Sequence, residues 1–105
     1  MSGYRLSKLA DEDLLSIFRY TIETWGVDQV LIYLQLLEAA TDQIVQNPFS
    51  VGSKAREDLA PGCRIFRSSK HYFVYRIKGG IVEIARILHE SMDFERHIGD
   101  QDFDS

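Results

Sequence analysis

Arginine side chains in the second half of the chain are the clearest candidates for binding chemistry. Four of them fall in runs of alternating apolar and polar residues, namely Arg64, Arg67, Arg76 and Arg86. Guanidinium groups bind carboxylates and phosphates in bidentate geometry, and they stabilise negative charge in a transition state. These arginines could equally lie on a solvated face of a sheet, with Glu83 pairing one of them. Arg86 differs because it stands within Ile84–Leu88, and a cation among apolar side chains requires a partner.

Strict strand alternation also assigns faces in the last of these runs. It places Arg86 on the same face as Ile84, and His89 on the same face as Ala85. His89 is a candidate general acid or base, because imidazole titrates near neutral pH.

Nucleophilic and metal-dependent chemistry lacks its usual residues in this sequence. Cys63 is the single cysteine. Arg64 beside it could lower the pKa of the thiol, but a free cysteine is more commonly a small buried core residue. No serine stands in a G-x-S-x-G turn, and His71, His89 and His97 lack the spacing of metal ligands. The sequence therefore predicts neither a hydrolase nor a cofactor.

Aromatic residues allow two interpretations. Tyr72, Phe73 and Tyr75 follow Lys70 and could stack on RNA bases. Strands also favour aromatic residues for packing, which predicts that these side chains fill a core. Trp25 closes the first apolar stripe of the chain, and we expect it to anchor the core as well.

Charge is unevenly distributed along the 105 residues, whose formal net charge is −4. Residues 1–53 carry three basic and seven acidic side chains, residues 54–89 carry eight and three, and residues 90–105 carry one and six. The middle segment therefore has a charge of +5 between two acidic segments. Because local field steers a partner more than net charge does, this segment is where we expect an anionic partner. The acidic end could stay solvated or fold over the cationic surface.

Two helices are predicted in the first half of the chain. Tyr4–Ser7 alternates as a short strand, and Ser7 is suited to cap a helix that ends at Gly26. A second apolar stripe of helical period covers residues 27–45 and stops before Pro48. Two long helices joined at a single glycine predict a helical hairpin.

A meander of three strands is predicted after a polar loop over residues 49–60. The strands are Cys63–Ser68, His71–Lys78 and Ile81–His89, with a Gly-Gly hairpin turn between the last two. The element order predicts a two-layer α+β fold, with the N-terminal strand and the helical hairpin packed on an antiparallel sheet. The first strand joins that sheet at its edge or between two strands. We expect one domain over residues 1–98, with a helical turn at Met92–Ile98, and a frayed acidic tail over 99–105.

Signals for secretion and membrane insertion are not apparent. Acidic residues interrupt the N-terminus from Asp11 onward, and no apolar run approaches the roughly 18 residues of a membrane span. A single cysteine fits a reducing compartment. We therefore expect a cytoplasmic protein.

A series of short motifs extends from Tyr4 to about His97. They are Tyr4-x-Leu6-Ser7, Ala10-x-x-Asp13-Leu14, Arg19-Tyr20-Thr21, Trp25-Gly26, Gln29-Val30, Tyr33, Asn47-Pro48, Pro61-Gly62-x-Arg64, His71-Tyr72-x-Val74-Tyr75-Arg76, Arg86-Ile87-Leu88-His89 and Met92-Asp93. Each motif is short, but their order and spacing together resemble the ParE toxins of the RelE/ParE superfamily. The strand, helix, helix, three-strand order derived above is similar to the fold of that family.

The resemblance implies the toxic half of a type II toxin–antitoxin pair. ParE-like toxins act on DNA gyrase and are neutralised by a ParD-like antitoxin, which implies a binding protein without catalytic residues. RelE-like relatives instead cleave messenger RNA on the ribosome, with an arginine followed by a tyrosine or histidine pair. Arg86 and His89 remain here, but the tyrosine is missing, which favours gyrase inhibition. An mRNA endonuclease using Arg64, Arg86 and His89 stays open, as does a non-toxic relic that only binds an antitoxin.

Candidate partner sites follow from the charge pattern and from the resemblance. An antitoxin tail with acidic side chains and apolar anchors is expected to contact Arg64, Arg67 or Arg86. The resemblance implies target contacts near the C-terminal strand, and the candidate residues are His89, Glu90, Ser91, Met92 and Asp93. Neither a membrane nor direct nucleic-acid binding is expected.

Overall fold

The structure is a computed structural model that describes residues 3–91. This part of the chain contains two helices and one sheet of five strands. Four predictions lie outside the described residues: the helical turn at Met92–Ile98, the domain boundary at 98, the acidic tail at 99–105, and the target contacts Met92 and Asp93.

The two helices form the predicted hairpin. Helix α1 spans Lys8–Trp25 and helix α2 spans Val27–Gln46. Ser7 begins α1 because its hydroxyl accepts the Ala10 N–H at 3.0 Å, which satisfies a donor of the first turn. Gly26 joins the helices with φ 94° and ψ 173°, a conformation adopted almost only by glycine.

One mixed sheet supports the hairpin. Its strands are β1 (Tyr4–Leu6), β2 (Ser53–Ala55), β3 (Arg64–Ser68), β4 (His71–Lys78) and β5 (Ile81–His89). Their order is β1-β5-β4-β3-β2, with β1 parallel to β5 and the other neighbours antiparallel. The two-layer α+β fold and the three-strand meander are confirmed. The sheet is mixed rather than wholly antiparallel, because β1 takes an edge position that the long helical connection allows.

Strand β2 lies in the segment 49–60 that the sequence predicts as a loop. Three residues are too few to show an alternating pattern, so the strand leaves no periodic signal. Pairing with β3 places it, with Ser53 opposite Phe66. Ser53 is buried, whereas the two residues after it are exposed. The meander is therefore extended by a fourth strand that forms the second edge of the sheet.

A β-bulge at Ala85 changes the faces of β5. Neighbouring residues of β4 oppose Ile84 and Arg86, so Ala85 is an extra residue in its strand. Arg86 consequently lies on the face opposite to Ile84, and His89 on the face opposite to Ala85. Both assignments made by strict alternation were wrong, because one inserted residue inverts every face that follows it.

Each face of the sheet has a core of its own. The face against the helices buries Ala10, Leu37, Ala40, Ile44, Phe73, Tyr75, Val82, Ile84 and Ile87. The other face buries a smaller cluster of Leu59, Ala60, Cys63, Ile65, Val74, Ala85 and Leu88. Because residues 59–63 cover part of the second face, that face is not simply a solvated surface.

The aromatic residues divide between core and surface. Phe73 and Tyr75 are at most 1% exposed, which confirms that they fill the core, and the partly buried Tyr72 packs against the smaller cluster. Trp25 is 70% exposed, and the prediction that it anchors the core was wrong. Because α1 ends at Trp25, its ring lines the rim of an open groove instead of being covered.

Candidate functional site

Asp13 of α1 and Arg86 of β5 form a two-point ion pair. Arg86 Nε donates to Asp13 Oδ2 at 2.9 Å, and Nη2 donates to Oδ1 at 3.0 Å. The backbone N–H of Ile87 donates to the same carboxylate at 2.9 Å. The Arg86 and Asp13 side chains are only 13% and 15% exposed. The partner predicted for Arg86 is therefore present, and it holds the guanidinium within the fold.

Arg64 supports the β2 edge of the sheet. Its Nε donates to Ser53 Oγ at 2.8 Å, and its Nη2 donates to the Ser53 carbonyl oxygen at 3.2 Å. The guanidinium also lies 4.9 Å from the centroid of the Phe49 ring, which is exposed. Arg64 is thus a half-buried cation beside an exposed aromatic ring, a combination suited to a partner's acidic or apolar side chains.

Arg67 is the more accessible of the predicted antitoxin contacts, with 56% of its side chain exposed. Its Nε donates to the Ser69 carbonyl oxygen at 3.1 Å, and its Nη2 donates to Glu90 at 2.5 Å. Arg67 and Arg86 oppose Tyr72 and Val74, which share one face of β4, whereas Arg64 opposes Tyr75 on the other face. The structure therefore does not place all three arginines on one face of the sheet. Their role in antitoxin binding stays a prediction.

Glu83 is the acidic residue that was expected to pair an arginine, and that expectation is confirmed. Arg76 Nε donates to Glu83 Oε1 at 2.9 Å, and Arg5 forms a second ion pair with the same carboxylate. Glu83 is 5% exposed. Two cations compensate the burial of this one anion, so these arginines have structural partners.

The described part of the candidate target stretch is a turn fixed by hydrogen bonds. The Ser91 N–H donates to His89 Nδ1 at 3.1 Å, and the Ser91 hydroxyl lies 2.8 Å from the same nitrogen. The Glu90 N–H donates to the Lys70 carbonyl oxygen at 2.8 Å, and the Glu90 carboxylate accepts from Arg67. The end of β5 is thus tied to the β3–β4 turn. Their contact with a target stays a prediction.

An open groove of about 750 Å³ lies between the helical hairpin and this end of the sheet. It is lined by Ser16, Ile17, Tyr20, Thr21, Trp25, Gln29, Tyr33, Ser69, Lys70, His71 and His89. The rings of His71 and His89 meet edge to face with centroids 5.2 Å apart, and His71 also contacts Tyr33, which lies 38 positions away in the chain. Of this site, the sequence had predicted only His89 as functional. The other lining residues come from both helices, the β3–β4 turn and the start of β4. Only tertiary packing brings them together, so no local sequence pattern signals them.

Burial changes the acid–base chemistry of two residues in this groove. The Tyr33 hydroxyl hydrogen-bonds to His71 Nδ1. Burial, with His89 as a second cause, lowers the pKa of His71 to about 4, so its ring is neutral near pH 7. Burial raises the pKa of Tyr33 to about 12, so its hydroxyl keeps the proton. The pair therefore acts as a neutral hydrogen-bonded unit at the base of the groove.

The helical hairpin exposes an extended apolar surface. Its exposed large apolar residues are Leu15, Ile22, Trp25, Val27, Leu31, Ile32, Leu34 and Leu36. Leu34 also lines a second groove, of about 330 Å³, with Leu14, Leu37 and Phe73. Val27, Leu31 and Leu34 recur at helical spacing and share one face of α2. An apolar stripe left exposed in this way is a candidate protein interaction site.

Cys63 is a buried core residue, as free cysteines commonly are. It is buried in the smaller core, and burial raises the pKa of its thiol to about 11, which opposes nucleophilic reactivity near pH 7. Among residues 3–91, no cluster of three or more histidine, cysteine or acidic side chains has the geometry to hold a metal ion. Neither described helix is long and apolar enough to cross a lipid bilayer.

Two helices packed on a five-stranded mixed sheet form an α+β fold of the RelE/ParE type. A solved structure described as a chromosomal ParDE toxin–antitoxin system from P. aeruginosa has this fold, with a TM-score of 0.72 at 22% identity over 85% of this chain and 95% of that one. The model of the ParE toxin family of type II toxin–antitoxin systems matches residues 4–94. The chain belongs to that ParE toxin family.

Two curated relatives have nearly the same length as this chain. Toxin ParE1 of Caulobacter vibrioides is 39% identical over 99 residues, which is 94% of this chain and all of the relative. Toxin ParE1 of Mycobacterium tuberculosis is 37% identical over 98 residues, 92% of this chain and 98% of the relative. The resemblance inferred from the short motifs is thereby confirmed.

Proposed function

We propose that this ParE family toxin inhibits DNA gyrase by binding it, and that a ParD-like antitoxin neutralises it. The observation that carries the proposal is the family match over residues 4–94, together with relatives aligned over nearly their whole length. Gyrase acts on chromosomal DNA, so the proposed site of action is the cytoplasm.

Antitoxin binding is proposed at the exposed apolar surface of the hairpin and at the cationic side chains beside the sheet. Trp25, Leu31 and Ile32 are each more than half exposed and can bury apolar anchors of a partner. Arg67 and Arg64 can meet its acidic side chains. The ion pair with Asp13 makes Arg86 a weaker candidate, because a partner would have to replace a bidentate carboxylate.

Target contact is proposed at His89, Glu90, Ser91, Met92 and Asp93. Of these, His89 ends β5, and Glu90 and Ser91 belong to the turn that follows it. The hydrogen bonds of this turn hold its backbone before any partner arrives. A preorganised segment loses little conformational entropy on binding, which supports its use as a recognition element.

The rival function, an mRNA endonuclease using Arg64, Arg86 and His89, has less support. Arg64 opposes Tyr75 of β4, and His89 opposes His71, which lies four positions earlier in the same strand. Arg64 and His89 are therefore about 13 Å apart along the strand direction. Arg86 is engaged by Asp13. General acid–base catalysis needs its groups within hydrogen-bond reach of one reacting centre. The dispersal of the three residues therefore favours a binding protein without catalytic residues.

Pulse labelling after induced expression of the full chain in a bacterial host separates the three functions. Gyrase inhibition predicts that DNA synthesis falls before protein synthesis does. Cleavage of translated messages predicts the reverse order and new 5′ ends in those messages. A relic predicts normal growth and unchanged labelling of both. Co-expression of the protein encoded beside the toxin gene should restore DNA synthesis if that protein is the antitoxin.

A further inference from the structure

The groove between the helical hairpin and the end of β5 is lined by side chains that can donate hydrogen bonds to an anion. Among residues 3–91, the eleven that line it include Lys70, His71 and His89 and no carboxylate. Residues 1–53, which supply the hairpin side of the groove, have a net charge of −4. Lys70 supplies a formal positive charge among these lining residues, and the two imidazoles add polar groups beside it.

The hydrogen bonds of His71 and His89 are made at Nδ1, which leaves the Nε2–H of each imidazole as a possible donor. The Ser91 N–H donates to His89 Nδ1, so the neutral His89 ring carries its proton on Nε2. Tyr33 keeps its hydroxyl proton and has His71 Nδ1 as its hydrogen-bond partner among the described residues, so the neutral His71 ring also carries its proton on Nε2. Both rings can therefore donate an N–H to a ligand without being charged.

The carboxylates closest to the histidines are already paired. Asp13 and Glu90 are the two acidic groups whose charge acts on His71. Asp13 is bound in bidentate fashion by Arg86, and Glu90 accepts from Arg67. Each anion is thus paired with an arginine, which offsets part of its repulsion of an anionic ligand entering the groove.

Aromatic rings form the opposite rim of the groove. Tyr20 is 64% exposed and Trp25 is 70% exposed, although both line the cavity. A nucleotide site needs two elements, namely exposed aromatic rings that stack on the base and cationic or N–H donors that hold the phosphate. Both elements are present in this groove. The volume of about 750 Å³ is within the range of small-ligand sites.

We propose that this groove is a binding site for a nucleoside monophosphate, with the base stacked on Trp25 and Tyr20 and the phosphate held by Lys70, His71 and His89. The same chemistry is present in a free nucleotide and at the 5′-phosphorylated end of an RNA strand. The site shares Trp25 with the proposed antitoxin surface and His89 with the proposed target turn. Gyrase inhibition itself does not require a nucleotide, so failure of either proposal leaves the other standing.

Trp25 provides the readout, because it is the single tryptophan of the chain. The purified full chain is titrated with adenosine 5′-monophosphate while tryptophan fluorescence is recorded, and calorimetry is run in parallel. The monophosphate is expected to quench the fluorescence and to bind at least about tenfold more tightly than either adenosine or inorganic phosphate, since each fragment lacks one set of contacts. Absence of both quenching and heat up to about 10 mM monophosphate overturns the proposal.

Variants test whether the binding uses the named residues. Lys70→Gln and His89→Gln are each expected to weaken binding of the monophosphate by about tenfold, because each removes one phosphate donor. Lys78→Gln is the matched control, because Lys78 is an exposed lysine at the opposite end of β4. This variant should bind the monophosphate as tightly as the unmodified chain does. Equal affinity of all three variants and the unmodified chain contradicts the assignment, provided that their circular dichroism spectra agree.

A 5′-phosphorylated tetraribonucleotide distinguishes the two sources of the ligand. Tighter binding of the oligonucleotide than of the monophosphate, with loss in Lys70→Gln, supports an RNA end as the ligand. Equal or weaker binding of the oligonucleotide supports a free nucleotide. Oligonucleotide binding that Lys70→Gln and His89→Gln leave unchanged lies outside this groove and counts against the proposal.

Discussion

Asp13 and Arg86 join α1 to β5 across 73 positions of the chain. The carboxylate accepts two guanidinium N–H groups and also the Ile87 N–H, at 2.9 to 3.0 Å. This contact fixes the helical hairpin beside the strand that ends in the candidate target turn. The relationship also gives Arg86 the counter-ion that a cation within the apolar segment Ile84–Leu88 requires.

Removal of the Asp13 carboxylate is expected to destabilise the fold. Asp13→Ala leaves the mostly buried Arg86 without its counter-ion, so the free energy of unfolding should fall by about 3 kcal/mol in a urea titration. Asp58→Ala is the control, because Asp58 pairs Arg56 at an exposed position and its loss should leave the unfolding midpoint nearly unchanged. Equal midpoints for the two variants would refute a structural role for the Asp13–Arg86 pair.

Gly26 is expected to be intolerant of any side chain for backbone reasons alone. A Cβ at this position would meet no atom within 4 Å, but the φ of 94° is strained for other residues. Gly26→Ala should therefore lower the free energy of unfolding by about 1–3 kcal/mol. Gly3→Ala also introduces no contact and lies outside the left-handed region, so thermal unfolding of that variant should match the unmodified chain. A Gly26→Ala variant as stable as Gly3→Ala would contradict this account.

The stability of the fold should depend on pH through His71. Its pKa is lowered from 6.5 to about 4 in the folded state, so the unfolded chain binds more protons between these values. Stability is therefore fully present above about pH 6.5 and falls as pH drops toward 4, by at most about 3 kcal/mol. Urea unfolding across this range should show a shallower decline for His71→Gln than for the unmodified chain. Parallel pH profiles for the two proteins would show that His71 does not carry this dependence.

Charge reversal on the sheet should weaken the proposed antitoxin complex. Arg67→Glu places an anion at the accessible cationic position, and like charges across an interface oppose association. Surface plasmon resonance should show a faster dissociation rate for this variant and also for Arg64→Glu. Lys78→Glu carries the same charge change at the far end of β4 and serves as the reference. If a variant dissociates at the reference rate, the arginine that it replaces does not contribute to the interface.

Sequence reasoning predicted the elements whose patterns are long. The helices, the Gly26 junction and strands β3 to β5 agree with the structure to within a residue or two, because each apolar stripe spans several periods. Strand β2 was missed because Ser53–Ala55 is too short to show a period. The faces of β5 were inverted by the Ala85 bulge, which sequence alternation does not signal.

The candidate site was harder to predict than the fold. The contact of Tyr33 with His71 depends on how α2 lies over β4, and the Asp13–Arg86 pair depends on where α1 meets the edge of β5. These are tertiary relationships between residues far apart in the chain, and no local pattern encodes them. Trp25 shows the same limit, because its apolar character alone predicted burial whereas its place at the end of α1 leaves it exposed.

A supercoiling assay with purified bacterial gyrase tests the proposed function most directly. Relaxed plasmid and ATP are incubated with gyrase and increasing amounts of the full chain, and the topoisomers are separated on a gel. We predict progressive loss of supercoiled product, and its recovery when the antitoxin is added before the toxin. Undiminished supercoiling at saturating toxin would contradict gyrase inhibition as the activity of this protein.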